Sequence, residues 1–164
     1  MQGKRTKKVS AKGSIIIQGH ILSNYVSREY WVFLAHNDNK KASILELGCG
    51  TGLVATKLKS ELSNISITGL DFSRKMISHA KESSVDKEKD EEIIDLKNKQ
   101  QEASDTKNSY DFLIKANFHD FENEEGKKYD AVISRGVFNY LDDLEVSITK
   151  ASSLLNKGGM LIFY

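Results

Sequence analysis

The sequence predicts an α/β domain whose parallel sheet is doubly wound, with helices on both faces. Three observations carry that expectation. Short β-branched runs alternate with segments of helical periodicity, the pattern that strand-helix-strand units produce. The first run, Ile44-Leu45-Glu46-Leu47, ends in glycines at positions 48, 50 and 52 and passes straight into a helical pattern. The next, Ile65-Ser66-Ile67-Thr68-Gly69-Leu70-Asp71, ends in an acid about twenty residues beyond that loop, the interval that brings two parallel strand tips side by side.

The glycine stretch Gly48-Cys49-Gly50-Thr51-Gly52-Leu53 is the element around which the chain is organised. Glycine tolerates positive φ and lacks a Cβ, so a ligand can lie against the main chain there. The helix beginning at Leu53 directs free N–H groups and its positive end at the same place, which favours a carboxylate or phosphate. Two familiar cradles are excluded by spacing. No Lys follows Gly52, as a phosphate-binding P-loop requires, and Leu53 stands where the third glycine of G-x-G-x-x-G would fall. A plain strand-to-helix turn is the alternative if the loop stands alone.

Taken in order, Met1 to Lys12 is polar and basic, and residues 1–14 read as a disordered tail, with no aromatic interleaved to stack on bases. Ile15-Ile16-Ile17 is apolar but unassigned. Ile21 to about His36 has helical spacing. The domain proper is expected over 15–164. After the second strand, Ser73 is a candidate N-cap for a helix burying Met76, Ile77 and Ala80. About 82–109 is almost entirely polar and reads as a mobile insertion without chemistry of its own.

Tyr110 to Ala116 is a third strand, followed by Asn117, Phe118 and His119. Tyr129 to Ser134 is a fourth, and the loop at its tip carries Asn139 and Tyr140. Ligands of doubly wound sheets bind at the carboxyl ends of the strands, so these tips are candidate contacts. A helix follows from Leu141 to Leu155, with Asp142 and Asp143 suited to its start and Gly158-Gly159 to its end. Gly159 to Tyr164 is a fifth strand.

These motifs in this order resemble class I S-adenosylmethionine-dependent methyltransferases, from the Glu46–Gly52 motif through Asp71 and the Tyr129-Asp130 strand to the Leu155-Asn156-Lys157-Gly158-Gly159 turn. Asp71-Phe72-Ser73-Arg74-Lys75-Met76 and the Tyr129–Leu144 stretch look closest to small stand-alone methyltransferases similar to the Williams–Beuren syndrome region protein. The resemblance implies a Rossmann-like sheet with strand order 3-2-1-4-5. It also implies S-adenosyl-L-methionine as cofactor and methyl transfer as the activity. It assigns Gly48, Gly50 and Gly52 to the methionine portion, with Glu46 near its amino group, Leu53 as an apolar contact, and Cys49 and Thr51 within the cofactor-binding set. Asp71 would hold the ribose, and Asn117 and Phe118 the adenine, with Asn117 standing where an acid is usual. Phe72, Met76 and Ser134 complete the cofactor set. His119, Asn139 and Tyr140 are candidate substrate contacts, and no catalytic residue is assigned, because an activated methyl group chiefly needs an aligned acceptor. In the same class the helix before the first strand often covers the cofactor, so Tyr25 or Tyr30 could reach it, although core packing suits both.

The full sheet of that class has seven strands, and this chain supplies five. An unpaired, apolar fifth-strand edge is therefore expected, open to association, in a truncated form or a protein completed by a partner. A non-catalytic cofactor-binding module is the competing expectation.

Composition narrows the rest. A net charge of +1 provides no general field for nucleic acid, and the absence of an N/D-P-P-Y/F tetrapeptide after the fourth strand argues against base methylation. A small molecule or protein is the expected acceptor, its identity unknown. One cysteine, Cys49, excludes an internal disulfide and reads as a small filler of the loop. No metal site is expected. Without a long apolar segment or signal-peptide pattern, the chain reads as soluble and cytoplasmic, away from membranes.

Overall fold

The structure, a computed structural model, describes residues 6–9, 15–18, 41–82, 94–95, 109–124 and 126–163. The predicted helix over 21–36, with Tyr25 and Tyr30, and nearly all of the polar insertion lie outside the described residues. The elements are β1 (Thr6–Val9), β2 (Ile15–Gln18), β3 (Ala42–Leu47), α1 (Leu53–Glu61), β4 (Ile65–Asp71), α2 (Arg74–Glu82), β5 (Ile94–Asp95), β6 (Phe112–Lys115), β7 (Tyr129–Ser134), α3 (Leu144–Ser153) and β8 (Leu155–Phe163). A short 3₁₀ turn over Phe138–Tyr140 joins β7 to α3.

The five expected strands form the centre of the sheet as β6-β4-β3-β7-β8, all parallel, which is the order 3-2-1-4-5. Alternation along each strand separates two apolar layers. Ile44, Ile65, Ile67, Ala131 and Ile133 meet α1 and α2 through Ala55, Leu58, Ile77 and Ala80. Leu45, Leu47, Leu70, Val132 and Leu161 meet Ala151 and Leu154 beside α3, with Phe118, Phe121 and Phe138. Both faces are therefore covered, and a parallel sheet requires this.

Three expectations change at the edges. The fifth strand is not a bare edge: β2 pairs with it in parallel, from Ile15 opposite Met160 to Gln18 opposite Phe163. The unassigned isoleucine run supplies this strand, and β1 pairs antiparallel beyond it. Thr6–Val9 is thus a strand inside the segment expected to be a disordered tail. Across the sheet, β5 within the insertion pairs with β6.

The turn after α3 also differs from expectation. Asp143 caps the helix, its carboxylate accepting from Val146 N at 2.9 Å. The helix ends at Ser153, so the pair Gly158-Gly159 does not terminate it but lies inside β8. The register to β7 shifts between Tyr129 and Ala131. Gly158 takes φ +81°, and a Cβ on Gly159 would come within 2.9 Å of the Asn156 carbonyl, so an irregular strand rather than a helix end uses the glycines.

At the opposite end of the sheet from the glycine loop, Asp111 fixes the start of β6. Its carboxylate accepts from Ile67 N at 2.8 Å and Lys59 Nζ at 2.7 Å on one oxygen, and from Lys41 Nζ at 2.9 Å on the other. Burial pushes the carboxyl up, but these donors outweigh it and hold it below the usual range. The strand that follows is thereby locked in register with β4.

Candidate functional site

The glycine loop is stitched to the neighbouring strand before it meets any ligand. The N–H groups of Gly48 and Cys49 both donate to the Leu70 carbonyl, at 2.7 and 3.0 Å, and Gly52 N donates to the Cys49 carbonyl at 3.0 Å. Gly48, Gly50 and Gly52 take φ of +67°, +53° and +87°, the region open to glycine at little cost. Their lost side chains serve different purposes. A Cβ on Gly48 would stand 2.0 Å from Val137 Cγ2, so this glycine lets the loop after β7 pack against the cradle. A Cβ on Gly50 would meet nothing within 4 Å, which leaves open space against the backbone.

Asp71 closes the loop from the β4 side. One carboxylate oxygen accepts from Gly50 N and the other from Ser73 N, both at 2.9 Å, and the residue is only 6% exposed. An ionised carboxylate offers about four lone-pair positions. Two remain for hydroxyl donors. Ser73 caps α2 as expected, its Oγ accepting from Met76 N at 3.4 Å. α1 begins after Gly52 with no side-chain cap and no acid in its own first turn, which leaves its positive end suited to an anion. Leu53, Phe72 and Met76 are exposed apolar residues around the same tips.

Glu46 lies beneath the loop at 1% exposure, its carboxyl accepting from the Tyr110 hydroxyl at 2.8 Å. Burial is the main cause that pushes it up to about 8, against the pull of Tyr110 and the Arg135 cation; the Asp71 carboxylate pushes the same way as burial. Burial likewise pushes the Cys49 thiol and the Tyr110 phenol up. Cys49 therefore stays a thiol at neutral pH, consistent with a filler rather than a nucleophile.

The raised carboxyl has a consequence for stability. Between about pH 4.5 and 8 the folded chain holds a proton that the unfolded chain has released, so stability falls as pH rises through that window. Glu46→Gln keeps an acceptor for Tyr110 and carries no charge. It is expected to stabilise the protein at pH 8 by on the order of 4 kcal/mol, read as a higher melting temperature, with little difference at pH 5. Equal melting at both pH values would contradict a neutral, buried Glu46.

The remaining expected residues divide. Ser134 is fully buried in register with Leu47, its hydroxyl without a partner among the described residues. Asn117 is exposed at the tip of β6, and its Oδ1 accepts from His119 N at 3.0 Å. Phe118, expected beside adenine, has its ring buried on the α3 side, 6.3 Å from the Phe138 ring centroid, so its side chain serves the core. His119 is exposed against the Phe118 ring, with centroids 5.6 Å apart, and Asn139 and Tyr140 are exposed on the loop after β7. Sequence reasoning missed the contacts of Tyr110 with Glu46 and of Val137 with Gly48. It also passed over Arg135, although a lone cation at a strand tip was a legible signal.

Among the described residues no group of side chains could hold a metal ion, and no helix is long and apolar enough to cross a membrane.

A doubly wound sheet with a G-x-G-x-G loop tied to an acid on the next strand defines the class: S-adenosylmethionine-dependent methyltransferases of class I fold. The chain belongs to the family described as "Methyltransferase domain", whose profile matches residues 45–161. It is 33% identical over 120 residues to malonyl-[acyl-carrier protein] O-methyltransferase of Bacillus cytotoxicus, covering 73% of this chain and 34% of that protein. A malonyl-[acyl-carrier protein] O-methyltransferase of Ilyobacter polytropus is 31% identical over 129 residues, covering 78% and 39%. The chain thus spans well under half the length of these relatives. These relatives do not show the finer likeness to the Williams–Beuren syndrome region protein.

Solved structures share the fold. The plantazolicin methyltransferase BpumL, in complex with S-adenosylhomocysteine and a triazolic desmethylplantazolicin analogue, superposes with a TM-score of 0.55 at 19% identity, over 80% of this chain and 42% of that one. Coclaurine N-methyltransferase, bound to N-methylheliamine and S-adenosylhomocysteine, gives 0.55 at 18%, over 82% and 33%.

Proposed function

We propose that this chain is the cofactor-binding part of an enzyme that transfers the methyl group of S-adenosyl-L-methionine to a carboxyl oxygen of a small or carrier-borne acid. The observation that carries the cofactor half is Asp71, bonded to Gly50 N while retaining acceptor capacity at the mouth of an open glycine loop. The relatives that act on malonyl-[acyl-carrier protein] support the acceptor half.

When bound, the cofactor supplies a sulfonium-activated methyl group. The chain's own residues would hold and orient the reactants. Asp71 accepts hydroxyl donors, the glycine loop and the start of α1 receive a carboxylate, and Leu53, Phe72 and Met76 offer apolar surface. Ser134 and Asn117 stand at the neighbouring strand tips. Holding an acceptor in line can lower a barrier by about 7 to 11 kcal/mol, so no covalent nucleophile is required of the protein.

The test is transfer of labelled methyl from S-adenosylmethionine to a malonyl thioester of acyl-carrier protein, with free malonate and a simple amine as comparison acceptors. Label appearing as a base-labile methyl ester on the malonyl group supports the reading. Label on the amine alone would overturn the carboxyl assignment and leave the cofactor assignment standing.

A further inference from the structure

The segment just before β6 reaches into the cofactor site, a placement its sequence gives no hint of. Ser109 Oγ and Thr56 Oγ1 of α1 lie 2.8 Å apart, and Ser109 is 8% exposed. Asp111 N donates to the Ile67 carbonyl at 2.9 Å, so Tyr110 is held on both sides. Its ring is 4% exposed and fills the space left by Gly69, where a Cβ would come within 2.7 Å of Tyr110 Cε1. From there its hydroxyl reaches Glu46. Among the described residues this is the one hydrogen-bond partner of the Glu46 side chain.

We propose that Tyr110 is a positioning residue of the cofactor site, whose hydroxyl holds the Glu46 carboxyl beneath the glycine loop so that capture of an ammonium group there ionises that carboxyl with release of one proton. The step balances: the carboxyl O–H bond breaks, its proton passes to buffer, and the carboxylate remains paired with the incoming ammonium. It rests on the cofactor reading above, whose ligand carries an amino group.

The groups around Glu46 fit this behaviour. Cys49 from the loop and Tyr110 from the β6 side are held neutral by burial. Asp71 at the tip of β4 opposes ionisation, and Arg135 at the tip of β7 favours it. With the carboxyl neutral up to about pH 8, an arriving cation shifts the balance and the donated Tyr110 hydrogen bond steadies the anion. A buried carboxyl already ionised would instead destabilise the ligand-free protein.

The experiment is calorimetric titration with S-adenosylhomocysteine from pH 6 to 8, repeated in two buffers of different ionisation enthalpy, which counts protons directly. The wild-type chain should release close to one proton at pH 7, and its affinity should rise by up to about tenfold per pH unit. Tyr110→Phe should move this curve to higher pH, weakening binding several-fold at pH 7 and recovering above it. A purely structural role would lower affinity equally at every pH. Glu46→Gln should remove the proton release and flatten the curve, which separates Glu46 from the ligand's own amino group. Wild-type binding with no proton release and a flat curve overturns the proposal without touching the cofactor reading. No binding at any pH overturns both.

Discussion

Asp71→Ala should weaken S-adenosylhomocysteine binding about 10- to 100-fold. Hydrogen bonds to a charged partner are worth roughly 1.5 to 3 kcal/mol, which is one to two decades in affinity. The carboxylate does two things at once. It is placed to accept ligand hydroxyls, and it already accepts from Gly50 N and Ser73 N, so its loss also removes the tie at Gly50 while the bonds from Gly48 and Cys49 to the Leu70 carbonyl remain. Asp71→Asn separates these effects. The amide keeps one acceptor oxygen, and its NH₂ can no longer accept, so the side chain can accept from only one of Gly50 N and Ser73 N in this geometry. Its binding should fall between wild type and alanine. Titration calorimetry of the three proteins measures the series, and equal affinities would remove Asp71 from the site.

Gly48→Ala should cost about 2 to 5 kcal/mol of stability. An L-residue in the left-handed region costs about 1 to 2 kcal/mol, and forcing atoms into a packed site adds about 1 to 3 kcal/mol. Gly48 incurs both, with φ +67° and Val137 Cγ2 only 2.0 Å from the new Cβ. Against a total stability of about 5 to 15 kcal/mol this is a large fraction. The two contributions can be told apart. Val137→Ala removes the γ-carbons and should restore part of the loss in the double mutant, leaving the backbone strain. Denaturant unfolding of the single and double mutants gives the coupling, and strict additivity would contradict the contact. Gly50→Ala is the control: it shares the positive φ but meets no atoms within 4 Å, so it should cost less stability while obstructing the cradle.

The central sheet was legible because its strands are short runs rich in apolar and β-branched residues, most of them buried in β3, β4 and β7, and because the glycines and Asp71 carry a local signal. The Asp143 cap was legible for the same reason, since a cap acts within three residues. Long-range pairing left no such trace. Ile15–Ile17 is apolar in any context, and only its partner on β8, some 145 residues later in the chain by the pairing of Ile15 with Met160, makes it a strand. Gly158-Gly159 suits a helix end as well as an irregular strand, and the pairing with β7 decided between them. Phe118 sits next to the strand tip in sequence, yet its ring turns toward Phe138 and the α3 layer. Tyr110 looked like the first residue of a strand. Its role depends on the gap at Gly69 and on the buried carboxyl across from it, neither of which is local.

The proposed function requires that the Gly48–Gly52 loop and Asp71 form a site for S-adenosylmethionine. Titration of the folded 164-residue chain with S-adenosylhomocysteine, run beside Asp71→Ala and with NADH as a control ligand, tests it most directly. Saturable binding of S-adenosylhomocysteine that collapses in the mutant, with no response to NADH, is the expected result. Binding that survives Asp71→Ala unchanged, or a folded protein that prefers NADH, would contradict it.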